Sequence, residues 1–214
     1  MTQPKMRQLK VCGMKHRDNI QQIATLNPQY LGFIFYEKSP RFFSGVIPAL
    51  PKSIKKTGVF VDASLDTVLD TAKSHDLQAV QLHGDESPEF CKRICEETSL
   101  ELIKAFSVSD PFDFSALEPY LPYCTYFLFD TKGQVPGGTG LRFCWTLLDD
   151  YPFTKAYFLS GGIGLDAIDK LEQFIASPAS SYCEVIDINS KFEYEPGLKN
   201  YEGIKRFKSA LPFV

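Results

Sequence analysis

Residues 126–140 read YFLFDTKGQVPGGTG. A compact apolar run stops at an acid, Asp130, and a loop carrying Gly133, Gly137, Gly138 and Gly140 follows. An apolar run this short, bounded by turn residues, reads as a strand buried on both faces. Such strands belong to parallel sheets, and parallel sheets bind ligands where their strands end. A carboxylate at that end, followed by glycines that let the backbone come close to a ligand, marks a candidate site. Whether other strands end the same way decides between fold classes.

Strand-like segments recur along the chain at 8–12, 31–35, 57–61, 79–82, 101–105, 125–129, 156–159 and 184–188. Helical patterns lie between them. Segment 18–26 places Ile20, Ile23, Ala24 and Leu26 at helical spacing, and 66–74 carries Val68, Leu69 and Ala72. Segment 87–98 opens with Ser87 as N-cap and Pro88 at the first helical position. Ile168, Leu171 and Phe174 share a face of 166–175, and Ile204, Phe207 and Leu211 do so in 201–211. The stretches after the second, fifth and sixth strands are shorter and less regular, although helices are expected there too. No linker or composition shift divides the 214 residues, so one domain, 1–214, is expected. Eight βα units is the count of a (β/α)8 TIM barrel. The rival is an open doubly wound sheet. Against it, the first strand runs into Cys12-Gly13-Met14 rather than a glycine-rich dinucleotide fingerprint.

The bulk numbers exclude several classes. The chain is 44% apolar and 23% charged, ordinary values for a globular protein. A net charge of -3 gives no electrostatic footprint for nucleic acid. No segment approaches the roughly 20 apolar residues of a membrane helix, and the N-terminal MTQPKMRQLKV lacks the apolar run of a signal peptide. A cytoplasmic protein with no membrane partner is expected. The six cysteines are dispersed with no CxxC pair, so reduced thiols are expected. Cys91 and Cys95 stand four apart without further ligands nearby, and His16, His75 and His83 are scattered. No metal site is expected.

The strand ends carry the chemistry. The first ends in Val11-Cys12-Gly13, the second is followed by a loop holding Arg41, and the fourth ends in Gln81-Leu82-His83. The sixth ends in Asp130, the seventh in Ser160-Gly161-Gly162-Ile163-Gly164, and the eighth in Asp187-Ile188-Asn189-Ser190. A barrel gathers these ends around one mouth. Loops after strands seven and eight commonly bind phosphate through backbone N–H groups, which suits Gly161, Gly162, Ile163, Asn189 and Ser190. The blander reading is that these glycines only make tight turns. A free Cys is most often a small buried apolar residue. At a strand end beside Gly13, Cys12 can also act as a base or a nucleophile. Asp130 could instead fix a loop, His83 could support another group, and Arg41 could be a surface cation. Arg41 in a lean loop is better suited to gripping a carboxylate by its planar fork.

These pieces resemble one family. KVCGM, LGFIFYEKSPRF, GVFVDAS, VQLHGDES, FDTKGQVPGGTGLRFCW, LSGGI and EPGLKNYEGIKRF run in order between Lys10 and Phe207, and together they resemble the N-(5'-phosphoribosyl)anthranilate isomerases of tryptophan biosynthesis. The resemblance implies a TIM barrel needing neither cofactor nor metal. It implies an Amadori rearrangement of a phosphorylated small molecule, with Cys12 as general base and Asp130 as general acid. By the same resemblance Arg41 holds the anthranilate carboxylate, His83 lines the pocket and Asp187 lies near the substrate. Gly161, Gly162, Ile163, Asn189 and Ser190 match the phosphate loops. Members of the family may be monomers or homodimers.

Two positions depart from the family pattern. Lys191 replaces the glycine of a Ser-Gly or Asn-Gly pair, which would call for a different backbone if that glycine had φ > 0. Asn200 replaces an Asp at the N-cap of the last helix, where Asn caps about as well. The related isomerase of histidine synthesis would be expected to carry an aspartate in place of Cys12. Indole-glycerol-phosphate synthase would need a mouth rich in lysine and carboxylate. A barrel that binds a phosphorylated metabolite without turning it over would have no use for both Cys12 and Asp130.

Overall fold

A computed structural model of the chain describes residues 6–109, 111–131 and 145–213. Eight parallel strands close into a barrel in sequence order: β1 Gln8–Val11, β2 Tyr30–Ile34, β3 Lys55–Phe60, β4 Ala79–Leu82, β5 Glu101–Val108, β6 Tyr126–Thr131, β7 Tyr157–Ser160 and β8 Cys183–Ile188. The ring closes where β1 meets β8, with Lys10 opposite Asp187 and Val11 opposite Ile188. The α-helices among the described residues are α1 Arg17–Ala24, α2 Leu65–Ser74, α3 Pro88–Glu97, α4 Ile168–Ala176 and α5 Tyr201–Ala210. Between β8 and α5 the chain forms a small antiparallel ribbon, β9 Glu193–Glu195 and β10 Leu198–Lys199. No helix among the described residues is long and apolar enough to cross a membrane.

Alternation along the strands builds two cores. Tyr30, Ala79, Ile103, Ala105, Leu128, Phe158 and Val185 form one buried cluster. Their strand neighbours Leu31, Val80, Leu102, Phe127, Phe129, Leu159 and Ile186 pack into the other, with Ile20, Val68, Ile94, Leu171 and Ile204 from the helices. Successive side chains of a strand point to opposite faces, so the first cluster fills the barrel and the second glues the helices to it. The same period places Gln81 above Ala79, Asp130 above Leu128, and Asp187 above Val185. The apolar interior is therefore a floor, and the polar residues stand on it. Truncating a floor residue such as Phe158, which is fully buried, would cost about 3–5 kcal/mol.

The eight strands lie where the alternation puts them, β4 at its expected bounds and the other strands with ends displaced by no more than three residues. The displacement at β6 matters. Asp130 lies inside the strand rather than beyond it, paired between Ser107 of β5 and Ser160 of β7, so its backbone is fixed on both sides. The regular helices expected after the second, fifth and sixth strands are not formed in the described residues. After β2 the chain carries Pro40, Pro48 and Pro51 and no helix. After β5 it makes only the 3-10 turn Phe114–Tyr120, with Pro119 inside it, and before β7 only the 3-10 turn Trp145–Asp150. Proline lacks the N–H donor and clashes with the preceding turn, which explains the first two. The expected helix 166–175 begins as the 3-10 turn Leu165–Ala167 before α4. Ser87 and Asn200 do cap their helices, accepting from the N–H groups of Phe90 and Gly203. Gly133, Gly137, Gly138, Gly140 and Cys144 lie outside the described residues.

Candidate active site

The C-terminal ends of the strands carry a cluster of charged and polar side chains, and two glycines make room for it. Cys12 follows β1 and is 5% exposed. Gly32 of β2 lies across from it, and a Cβ there would stand 2.8 Å from the Cys12 Sγ. Gly13 has φ +75°, and a Cβ on it would meet Asn189 Oδ1 at 2.7 Å and Arg41 Cδ at 2.8 Å. Side chains from the loops after β2 and β8 thus converge over the backbone that follows Cys12.

A chain of polar contacts crosses the mouth. Lys10, fully buried on β1, donates to Asp187 Oδ2 at 2.7 Å and to Gln81 Oε1 at 2.8 Å. Gln81 Nε2 lies 2.8 Å from His83 Nδ1, and His83 Nε2 lies 3.2 Å from Asp130 Oδ2. Four strands are linked in this way, from β8 through β1 and β4 to β6. Burial works against the Lys10 charge, but Asp187 and Cys12 outweigh it and hold the ammonium above its ordinary range. Burial likewise pushes the Asp187 carboxyl above its ordinary range, and Lys10 pulls it down without overcoming this. Asp187 Oδ1 is buried and has no hydrogen-bond partner among the described residues.

A second cluster sits beside the first. Arg41 donates from Nε and Nη2 to the Glu193 carboxylate at 2.7–3.0 Å. Lys199 Nζ, also buried, reaches Glu193 Oε1 at 2.6 Å and Asn189 Oδ1 at 2.7 Å. Asn19 of α1 pins the Lys199 backbone from both sides, accepting from its N–H and donating to its carbonyl. Burial raises the Glu193 carboxyl, but its bonds to Arg41 and Lys199 outweigh this and hold it below the usual range.

Cys12 lies between these clusters. Burial pushes its thiol up, and Asp187 adds to the push. Lys10 and Lys199 pull the other way without overcoming it. Burial therefore favours the thiol form of Cys12 in the free site.

At the seventh strand end, Gly161 and Gly162 have φ +93° and +65°, and Gly162 is exposed with nothing within 4 Å of a Cβ placed on it. Ile163 is buried by its side chain. The neighbouring eighth loop packs on the seventh, since a Cβ on Gly164 would meet Lys191 Cβ at 3.1 Å. Ser190 and Lys191 form a 3-10 turn with Phe192. Lys191 is not among the residues with positive φ, so replacing the family glycine strains nothing here.

A cavity of about 430 Å³ opens beside His83, lined by Gly84, Lys104, Phe106 and Tyr120 among others. A larger cavity, about 540 Å³, lies at the opposite end of the barrel against Thr125 and Ala156, far from the strand ends that carry the chemistry.

The candidate site residues that fall among the described ones thus lie at the C-terminal strand ends or in the loops that follow them. Arg41 arrives with one edge of its guanidinium already occupied. Lys10, Gln81, Glu193 and Lys199 were not singled out. Lys10, Gln81 and Lys199 stand in motifs that were legible, KVCGM, VQLHGDES and EPGLKNYEGIKRF, and Glu193 stands in none of them; nothing in the sequence shows that a lysine on a strand is turned inward.

The chain matches the family model described as N-(5'phosphoribosyl)anthranilate (PRA) isomerase over residues 9–210. It is 38% identical to an N-(5'-phosphoribosyl)anthranilate isomerase of Parabacteroides distasonis, over 93% of this chain and 90% of that one. With an enzyme of the same name from Phocaeicola vulgatus it shares 36% identity, over 95% and 97%. Among solved structures, phosphoribosyl anthranilate isomerase from Thermotoga maritima superposes with a TM-score of 0.78 at 30% identity, covering 96% of this chain and 98% of that one. A phosphoribosyl anthranilate isomerase in complex with reduced 1-(o-carboxyphenylamino)-1-deoxyribulose 5-phosphate gives 0.77 at 29% identity, covering 94% and 96%.

Proposed function

The chain belongs to the N-(5'-phosphoribosyl)anthranilate isomerase family and is an isomerase of tryptophan biosynthesis; from that premise we propose that Asp130 is its general acid and Cys12 its general base. The observation that carries the assignment is the polar chain from Asp130 through His83 and Gln81 to Lys10, which lies beside Cys12. It places an acid and a thiol in one cluster on a rigid floor.

The substrate is N-(5'-phosphoribosyl)anthranilate. Asp130 gives a proton to the furanose ring oxygen as the C1'–O bond breaks. The bonding pair leaves with oxygen, and the anthranilate nitrogen lone pair forms the C1'=N iminium. Cys12 thiolate then takes the proton from C2', and those electrons form the C1'=C2' bond while the nitrogen regains its lone pair. The enolamine gains a proton at C1' and loses one from the C2' hydroxyl, giving the open-chain ketone, 1-(2-carboxyphenylamino)-1-deoxyribulose 5-phosphate. General acid–base steps of this kind contribute about 10²–10⁴-fold each.

The working form needs the proton on Asp130 and off Cys12. Burial opposes that thiolate, while the Lys10 and Lys199 ammonium groups favour it. The iminium formed in the first step adds a third cation beside the sulfur, and a nearby cation favours a thiolate. The deprotonated form of Cys12 is therefore favoured at the step that needs it.

The remaining contacts bind. Glu193 holds the Nε–Nη2 edge of Arg41 and leaves the Nη1–Nη2 edge for the anthranilate carboxylate. Asp187 Oδ1 accepts from a substrate hydroxyl, and His83 lines the pocket. The amides of Gly161, Gly162, Ile163, Asn189 and Ser190 hold phosphate, with the Lys191 charge close by. The test is conversion of freshly made phosphoribosylanthranilate, followed by fluorescence and coupled to excess indole-glycerol-phosphate synthase. Turnover to the carboxyphenylamino ketose phosphate is expected, and folded protein that leaves this substrate unchanged would refute the reading.

A further inference from the structure

Hydrogen-bond accounting along the polar chain fixes more than its members. The Lys10 ammonium has donors and no acceptor. It is fully buried, and 2.8 Å away stands the Gln81 carboxamide, itself 1% exposed. The end of that carboxamide facing Lys10 must be its oxygen, because the amide nitrogen would set two donors face to face in a buried site. The NH2 end therefore faces His83, at 2.8 Å from Nδ1. An amide NH2 only donates, so Nδ1 must offer its lone pair, and the ring proton must be on Nε2. Nε2 is the nitrogen that meets Asp130 Oδ2 at 3.2 Å. A doubly protonated ring would break the same accounting at Nδ1.

The consequence reaches the acid. With Oδ2 of Asp130 engaged as an acceptor, an acidic proton on that carboxyl belongs on Oδ1. Among the described residues no hydrogen bond reaches Oδ1. We propose that Lys10 and Gln81 are positioning residues: through Gln81, Lys10 selects the Nε2–H tautomer of His83, which holds Asp130 Oδ2 as an acceptor and directs the acid's proton to Oδ1. The catalytic half of this inference rests on the assignment of Asp130 as general acid.

The test is tautomer-sensitive ¹⁵N–¹H correlation NMR of histidine-labelled protein, with three histidines to assign. In the wild type, His83 shows a proton on Nε2 and a bare Nδ1. Gln81→Glu keeps an oxygen for Lys10 and turns the group facing His83 from a donor into an acceptor. In that variant Nδ1 becomes protonated, and kcat falls about tenfold or more with KM changed less. A wild-type proton on Nδ1 overturns the inference without any variant having to fold. So does a folded Gln81→Glu protein whose His83 tautomer is unchanged. A tautomer that moves while kcat stays at the wild-type level overturns the positioning role. Full turnover in Asp130→Asn removes the general acid and leaves the tautomer result standing, so the two failures are told apart.

Discussion

Adding one methyl group at Gly32 should disable the isomerase while leaving the barrel folded. A Cβ at Gly32 would stand 2.8 Å from Cys12 Sγ, 3.0 Å from Cys12 Cα and 3.3 Å from Cys12 Cβ, where ordinary contact begins at 3.4 Å. Rotating the thiol away relieves the first contact and not the second, so the β1 backbone must move as well. The sulfur is displaced by about 0.6 Å. Overpacking of this kind costs about 1–3 kcal/mol, and misplacing a catalytic group by about 1 Å can cost about 10²-fold in rate. Gly32→Ala is therefore expected to lower kcat about tenfold or more, with KM changed less, because the proposed phosphate and anthranilate contacts lie on other loops. The assay is coupled fluorescence turnover at saturating substrate, with urea unfolding to show that the variant is native. A native Gly32→Ala protein with kcat within about twofold of wild type would refute the placement of Cys12 at the reacting carbon.

Arg41→Ala should raise KM and leave kcat nearly unchanged, because its proposed role is to hold a group that does not react; an unchanged KM would remove Arg41 from the pocket. Glu193→Gln leaves the buried Lys199 ammonium without its counter-charge and should cost about 3 kcal/mol, or roughly 6–12 °C in Tm; an unchanged melting curve would refute the pairing. The same pair gives a pH signature. Glu193 sits below its ordinary range in the folded protein, so its contribution is complete above the unfolded value of about 4.3 and fades as pH falls through the folded one. The stability difference between wild type and Glu193→Gln should accordingly be full at about pH 6 and shrink below about pH 4; a difference that grew on acidification would reverse the sign. Gly162→Ala meets no neighbour, so only its positive φ is penalised, by about 1–2 kcal/mol. It should raise KM through the phosphate loop and spare kcat, and a loss confined to kcat would contradict that role.

Particular residues show why some of this was legible in the sequence. The eight strands were visible because alternation and short apolar runs bounded by turns are local signals. Asp130, Cys12 and His83 were visible because each stands at the end of such a run. The missing helices were not, since Pro40, Pro48, Pro51 and Pro119 act against patterns that are short to begin with. The supports of the site were hidden for another reason. Lys10 and Lys199 are buried lysines, and a lysine is almost never fully buried unless it is paired. Their partners lie 177 residues away at Asp187 and across a ribbon turn at Glu193. Only the closed barrel brings Asp187 opposite Lys10, and only the ribbon of β9 and β10 turns Lys199 back onto Glu193. The same distance hides the burial of Cys12, and with it the push on its thiol that a strand-end position alone does not show.

The division of labour between acid and base is tested most directly by the steady-state turnover of phosphoribosylanthranilate in Cys12→Ala and Asp130→Asn, each compared with wild type and each shown to be folded. Both variants are expected to lose at least about 10²-fold in kcat. Near wild-type kcat in either folded variant would contradict its assigned role.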